Sequence, residues 1–149
     1  MPSRQDFIEF ILDHYENPRN RGTLQPADVV MKGANPACGD IVVLYLSIQP
    51  ATGLIERILF TGEGCTISQA AASLTTTLVQ GRSLAEARAL RGPDILGEMG
   101  HGVMVSRRRC ATLALHTLRA AITCYLRQEH PAVSDVQGLE FEAQGELLD

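Results

Sequence analysis

The sequence predicts an α+β fold, a small three-stranded antiparallel sheet with helices packed on one face. Three observations carry this. Residues 41–48 alternate, with Val42, Leu44, Leu46 and Ile48 on one face of a strand. Short links join this strand to its neighbours, as in an antiparallel meander. After residue 65 the apolar period becomes helical, and strands followed by helices give segregated layers.

Each element follows in order. Ser3 with Asp6 resembles a capping box, and Phe7, Ile8, Ile11, Leu12 and Tyr15 recur at helical spacing. This helix should stop at Asn17-Pro18, because a residue before proline avoids the helical region. Val29-Val30-Met31 is a short strand, residues 41–48 a second and residues 54–61 a third, with Gln49-Pro50-Ala51-Thr52-Gly53 as a turn. Ile67, Ala70, Ala71, Leu74 and Leu78 mark a helix that ends at Gly81. Ser83 and Glu86 form another capping box and open a short helix through Leu90. Residues 91–105 hold four glycines and a proline and are predicted to be a loop. A long helix follows over residues 110–127, with Ala111, Ala114, Leu115, Leu118, Ala121, Ile122 and Tyr125 facing inward.

The 149 residues, 45% of them hydrophobic, suffice for one domain with a core that needs no disulfide staples. There are no internal repeats. The apolar runs are too short for a transmembrane helix, so no membrane partner is expected. The opening MPSRQDFIEF has two acids and no apolar signal core, so it is not a secretory signal and the expected location is cytoplasmic. A net charge of −4, no Trp and only 5% aromatics argue against nucleic acid as a partner. The charge is unevenly spread. Residues 128–149 hold six acids and no Lys or Arg, which leaves residues 1–127 with thirteen basic and eleven acidic side chains. Residues 1–127 are therefore expected to be the folded domain and residues 128–149 an acidic, mobile tail.

Four cysteines remain: Cys38, Cys65, Cys110 and Cys124. In a reducing compartment cysteines more often bind metal or do chemistry than form disulfides. Cys38 sits in Asn35-Pro36-Ala37-Cys38-Gly39-Asp40, where Gly39 allows a tight turn and Cys38 and Asp40 could aim at one point. Cys65 follows Gly62-Glu63-Gly64 and opens a helix; Cys110 follows Arg107-Arg108-Arg109 and opens another. A helix start and neighbouring Arg side chains are both expected to lower a thiol pKa. Three thiolates and one carboxylate suit Zn²⁺ or iron. The alternative for each thiol taken alone is a buried small hydrophobe. Cys124 lies fourteen residues after Cys110 on the same helix, about 21 Å along its axis, so it cannot share an ion and is read as core packing. None of His14, His101, His116 and His130 forms a close ligand pair; His101, in the glycine-rich stretch, reads as a solvated loop residue. The Arg run is either a solvated face or a partner site. No nearby motif supplies a base or an oxyanion hole, which argues against a cysteine hydrolase.

Four segments of the sequence resemble the IscU/SufU/NifU N-terminal family of iron–sulfur cluster assembly proteins. His14-Tyr15-Glu16-Asn17-Pro18-Arg19-Asn20-Arg21-Gly22 is similar to the family's opening motif, and the Cys38 loop to its N-P-x-C-G-D loop. GEGCTIS at residues 62–68 and RCATL at residues 109–113 resemble the SufU branch. The resemblance implies an IscU-like fold. It implies that Cys38, Asp40, Cys65 and Cys110 bind Zn²⁺ or hold a nascent [2Fe–2S] cluster or iron. It implies a cysteine desulfurase partner of the SufS or IscS kind, with Cys38 and Cys110 as candidate sulfur acceptors, and downstream recipient proteins. The protein would then be a non-enzymatic scaffold or a zinc-dependent sulfur acceptor; a purely structural zinc module is the further alternative. Where IscU-type members carry a histidine before the last cysteine, this chain has Arg109, which favours SufU-like chemistry. The forty-five residues from Cys65 to Cys110 match the shorter IscU-like spacing.

Overall fold

A computed structural model describes residues 2–127 and 139–142. Helix α1 (Arg4–Glu16) opens on the expected capping box: Ser3 Oγ accepts from the Asp6 N–H at 3.1 Å, and the Ser3 N–H donates to Asp6 Oδ2 at 2.8 Å. It ends at Asn17, before Pro18. Strands β1 (Val29–Asn35), β2 (Asp40–Gln49) and β3 (Leu54–Glu63) form the antiparallel meander. Strand β1 runs four residues beyond the predicted Met31 because Gly33 stays extended against the last helix, where a Cβ would overlap Thr117. A short fourth strand, β4 (Leu139–Glu142), pairs parallel with β1 and makes the sheet order β3-β2-β1-β4. The rest of the expected acidic tail lies outside the described residues.

The helices follow: α2 (Thr66–Val79), α3 (Leu84–Ala89), α4 (Gly92–Met99), α5 (His101–Met104) and α6 (Arg108–Leu126). Residues 91–105 are thus largely helical and not the predicted loop. Pro93 falls at the start of α4, where its missing N–H costs nothing, and Asp94 Oδ2 accepts from the Arg91 N–H at 2.8 Å. Ile95, Leu96 and Met99 then bury one face, and Gly100, at φ +92°, turns the chain into α5.

The sheet face formed by Val42, Leu44, Leu46 and Phe60 packs against Leu113, Leu118 and Ile122 of α6 and Ala72 of α2. Fully burying each such large side chain stabilises the fold by about 1.5–3 kcal/mol. A second cluster joins α1, α2 and α4 through Ile11, Leu74, Ile95 and Met99. Cys124 is half-buried against the main core, as expected. Among the described residues no helix is long and apolar enough to cross a membrane.

The opening motif is a strap. His14 Nδ1 lies 2.8 Å from Ser73 Oγ of α2, which also accepts from the Arg19 N–H at 2.9 Å. Asn20 Nδ2 donates to Thr76 Oγ1 at 3.1 Å, and Arg21 Nη2 donates to the Gly62 carbonyl at 3.0 Å. These bonds tie the exit of α1 to α2 and to the turn that carries Cys65.

Candidate metal centre

Three chain segments meet at one end of the sheet. The β1–β2 hairpin supplies Cys38 and Asp40. Asn35 and Asp40 close its mouth as register partners, and Gly39, at φ +70°, makes the tight turn between the two ligands. The β3–α2 turn supplies Cys65, which caps α2 with its own sulfur: Sγ accepts from the Ser68 N–H at 3.4 Å. Gly64, at φ +142°, lets this turn press against β2; a Cβ there would overlap the Asp40 carboxylate and lie 2.8 Å from Asp40 Cα. The first turn of α6 supplies Cys110.

The ligand atoms of Cys38, Asp40 and Cys110 all lie within 4.8 Å of one another. The Cys110 and Cys38 sulfurs are 3.7 Å apart. Cys65 is adjacent to this trio: its N–H donates to Asp40 Oδ1 at 2.8 Å and its sulfur is 3.8 Å from Asp40 Oδ2. With Zn–S bonds of about 2.3 Å, two sulfurs on a tetrahedral ion sit roughly 3.8 Å apart. The donor set and the sulfur–sulfur distance therefore fit zinc or another thiophilic metal. His101 is outside the group, exposed at the start of α5 beside Gly97.

Burial divides the ligands. Asp40 and Cys110 are 1% and 2% exposed, Cys65 is half-buried and Cys38 is exposed. The expectation of a lowered Cys110 pKa is overturned for the side chains alone. Burial pushes the Cys110 thiol well above the ordinary thiol range, and hydrogen bonding to Asp40 and Cys38 and the nearby charges of Cys65 and Asp40 act in the same direction. Arg107, Arg108 and Arg109 are all exposed, where water screens them, so they do not offset this. A bound divalent cation inverts that logic, because a coordinating thiol is deprotonated outright.

Gly64 and Asn35 acquire their places only in the folded chain. Gly64 sat inside a quoted motif, but its contact with Asp40 depends on how two loops meet. Asn35 headed the Cys38 loop motif; it is 1% exposed, and neither Nδ2 nor Oδ1 has a hydrogen-bond partner among the described residues.

The chain is an α+β domain with helices on one face of a sheet and, at the sheet's end, a Cys38–Asp40–Cys110 group that could hold a metal ion, with Cys65 beside it. The NifU-like N terminal domain family matches residues 6–132, and this chain belongs to that family. The iron–sulfur cluster assembly scaffold protein IscU of Aquifex aeolicus is 36% identical over 124 residues, covering 83% of this chain and 78% of its own length. IscU of Escherichia coli is 38% identical over 123 residues, covering 80% and 93%. Among solved structures, a protein of Fervidobacterium islandicum AW-1 assigned as an iron–sulfur cluster assembly scaffold for the SUF system matches with a TM-score of 0.68 at 25% identity, covering 76% of this chain and 94% of that one. The N-terminal NifU-like protein of Brucella abortus shares the fold, with a TM-score of 0.68 at 20% identity over 85% of this chain and 99% of its own.

Proposed function

We propose that this chain is an iron–sulfur cluster assembly scaffold protein that binds Zn²⁺ through Cys38, Asp40, Cys65 and Cys110 and accepts sulfur there from a cysteine desulfurase. The observation that carries the reading is an exposed thiol, Cys38, 3.7 Å from a buried one, Cys110, beside a buried carboxylate. Zinc, when bound, keeps thiols in the nucleophilic thiolate form.

Of the two candidate acceptors, Cys38 is the one an incoming persulfide can reach. Its thiolate attacks the terminal sulfur of the desulfurase persulfide. A new S–S bond forms on Cys38, the old S–S bond breaks, and the electron pair leaves on the desulfurase thiolate, with no net oxidation. The proton on the terminal sulfur travels with it. Cys110 and Cys65 anchor the centre from its buried side. Asp40 is the hardest donor of the set and the ligand most readily exchanged. The exposed Arg107 and Arg108 beside the centre suit an acidic desulfurase surface, a long-range attraction that salt weakens.

The test is desulfurase turnover with the zinc-loaded protein and with the same protein after chelation. Stimulation that needs zinc and declines with Arg107→Ala or Arg108→Ala at low salt supports sulfur acceptance. Stimulation that is indifferent to zinc and to Cys38 refutes it. The names of the relatives favour a second reading, assembly of a [2Fe–2S] cluster on the same four ligands. Anaerobic reconstitution with iron and sulfide that leaves the protein colourless excludes it.

A further inference from the structure

The buried amide of Asn35 has no work to do within the described chain. It is 1% exposed, and among the described residues it alone leaves two side-chain polar atoms buried without a partner. A buried amide unsatisfied at both ends is unfavourable, and its presence points to a partner outside the described residues.

The register says where that partner sits. Asn35 on β1 faces Asp40 on β2 as a direct antiparallel pair, so the two side chains share a sheet face with Cβ atoms about 5 Å apart. That face is the one turned to α6. Gly33, two residues back on the same face, lies so close to Thr117 of α6 that a Cβ would overlap it. From Gly33, β1 runs on to Asn35 and the Cys38 loop, while α6 begins with Cys110 at this same end of the sheet. The loop also folds back on Asn35, whose carbonyl accepts from the Cys38 N–H at 3.1 Å. The Asn35 side chain therefore lies on the sheet face that carries Asp40 and at the end of the sheet where Cys38 and Cys110 meet.

The centre lacks donors where this amide stands. Asp40 accepts from the Cys65 N–H, and the Cys65 sulfur accepts from the Ser68 N–H. The Cys110 sulfur lies 3.7 Å from the Cys38 sulfur and hydrogen-bonds the Asp40 carboxylate, which offers a thiolate no proton. Three thiolates and a carboxylate around a divalent ion carry excess negative charge, and N–H donors to the ligand sulfurs spread it.

We propose that Asn35 is a positioning residue of the metal centre, its Nδ2–H donating to the Cys38 or Cys110 sulfur when an ion is held. The proposal rests on the metal-binding reading above and adds to it a group outside the four ligands.

Cobalt(II) titration tests it, with the intensity and position of the thiolate-to-cobalt charge-transfer band as the readout, alongside thermal melts in chelator. The variants are Asn35→Leu, which keeps the approximate shape without hydrogen-bonding groups, and Asn35→Asp, which keeps the shape and adds charge. Asn35→Leu is expected to bind Co²⁺ about 10–100-fold more weakly, with a shifted band, the range typical of outer-shell partners of metal ligands. Its melting temperature in chelator should equal or exceed that of the wild type, since an unsatisfied amide has been removed. Asn35→Asp should bind more weakly still if the donor is what matters. An unchanged affinity and band in Asn35→Leu overturns the proposal. So does an equal loss of melting temperature with and without metal, which would make the amide a structural group. A wild-type protein that takes up no Co²⁺ overturns the metal-binding reading itself, a result distinct from both.

Discussion

Two clusters of buried polar groups touch helix α2, and they are built in opposite ways. Midway along the helix, Ser73 meets His14 and the Arg19 N–H, and Thr76 meets Asn20; both pairings lie 3.1 Å or less from donor to acceptor. At the helix start, Cys65, Asp40, Cys110 and Cys38 crowd together, with Asn35 opposite Asp40 in the sheet, and the Asn35 amide has no partner among the described residues. In the first cluster the Ser73 and Thr76 hydroxyls are matched by the strap's donors and hold it in place, with Arg19 Nη1 the strap's one buried nitrogen lacking a partner among the described residues. The second has the composition of a ligand shell and leaves polar atoms without partners among the described residues. Hydrogen-bond completeness is what separates a structural motif from a chemical one here.

The largest effects should come from the open cluster. Cys38→Ser, Cys65→Ser and Cys110→Ser each remove a thiolate from a four-ligand set. Each should weaken zinc binding by more than the roughly 10–100-fold typical of outer-shell changes, measured by chelator competition. Cys124→Ser, on the far part of α6, should leave zinc content unchanged. A Cys124→Ser variant that loses its metal would erase the distinction between the two ends of that helix.

Gly64→Ala comes next. The new methyl overlaps the Asp40 carboxylate, and the backbone there is at φ +142°. Gly53→Ala is the control, with positive φ at +72° but open space around it. The strained backbone alone costs about 1–3 kcal/mol at either site. Only Gly64→Ala should also lower zinc affinity, and equal affinities in the two variants would break the link between that turn and Asp40.

Ser73→Ala addresses the closed cluster. It leaves His14 Nδ1 and the Arg19 N–H without their partner and should destabilise the fold by about 1–3 kcal/mol in urea melts, with zinc affinity unchanged.

The smallest effect concerns pH. Burial, helped by the Arg19 charge and opposed by Asp13, holds the His14 pKa below its usual 6.5. The unfolded chain therefore takes up a proton that the folded one resists. Stability from this group is present above about pH 6.5 and is lost as pH falls through the lower folded value. His14→Gln should flatten the dependence of melting temperature on pH between neutrality and mild acid.

The three-stranded meander, both capping boxes and the Cys38–Asp40 turn were legible in the sequence because each has a local signature: alternation in β2, Ser3 with Asp6, Ser83 with Glu86, and a turn glycine between Cys38 and Asp40. Helix α4 was not, because its glycines and Pro93 outweighed the apolar spacing of Ile95, Leu96 and Met99. Proline at a helix start and glycine at its end are compatible with a helix, and the burial supplied by α1 and α2 decides the matter. The Cys110 thiol was misjudged for a related reason. A helix start and three Arg residues can be read from the sequence, whereas the 2% exposure that dominates the pKa is a property of how the hairpin and α6 close over it. The closeness of Gly64 to Asp40 and the unmatched amide of Asn35 likewise arise only once separate loops are brought together.

The central claim is that the open cluster takes sulfur at its exposed thiol. The most direct measurement is peptide mass spectrometry of the zinc-loaded protein after incubation with a cysteine desulfurase and cysteine. The expected result is one added sulfur atom on Cys38, removable by dithiothreitol, absent in Cys38→Ser and retained in Cys124→Ser. Sulfur found on Cys124, or no sulfur on Cys38 while the desulfurase is turning over, would contradict the account.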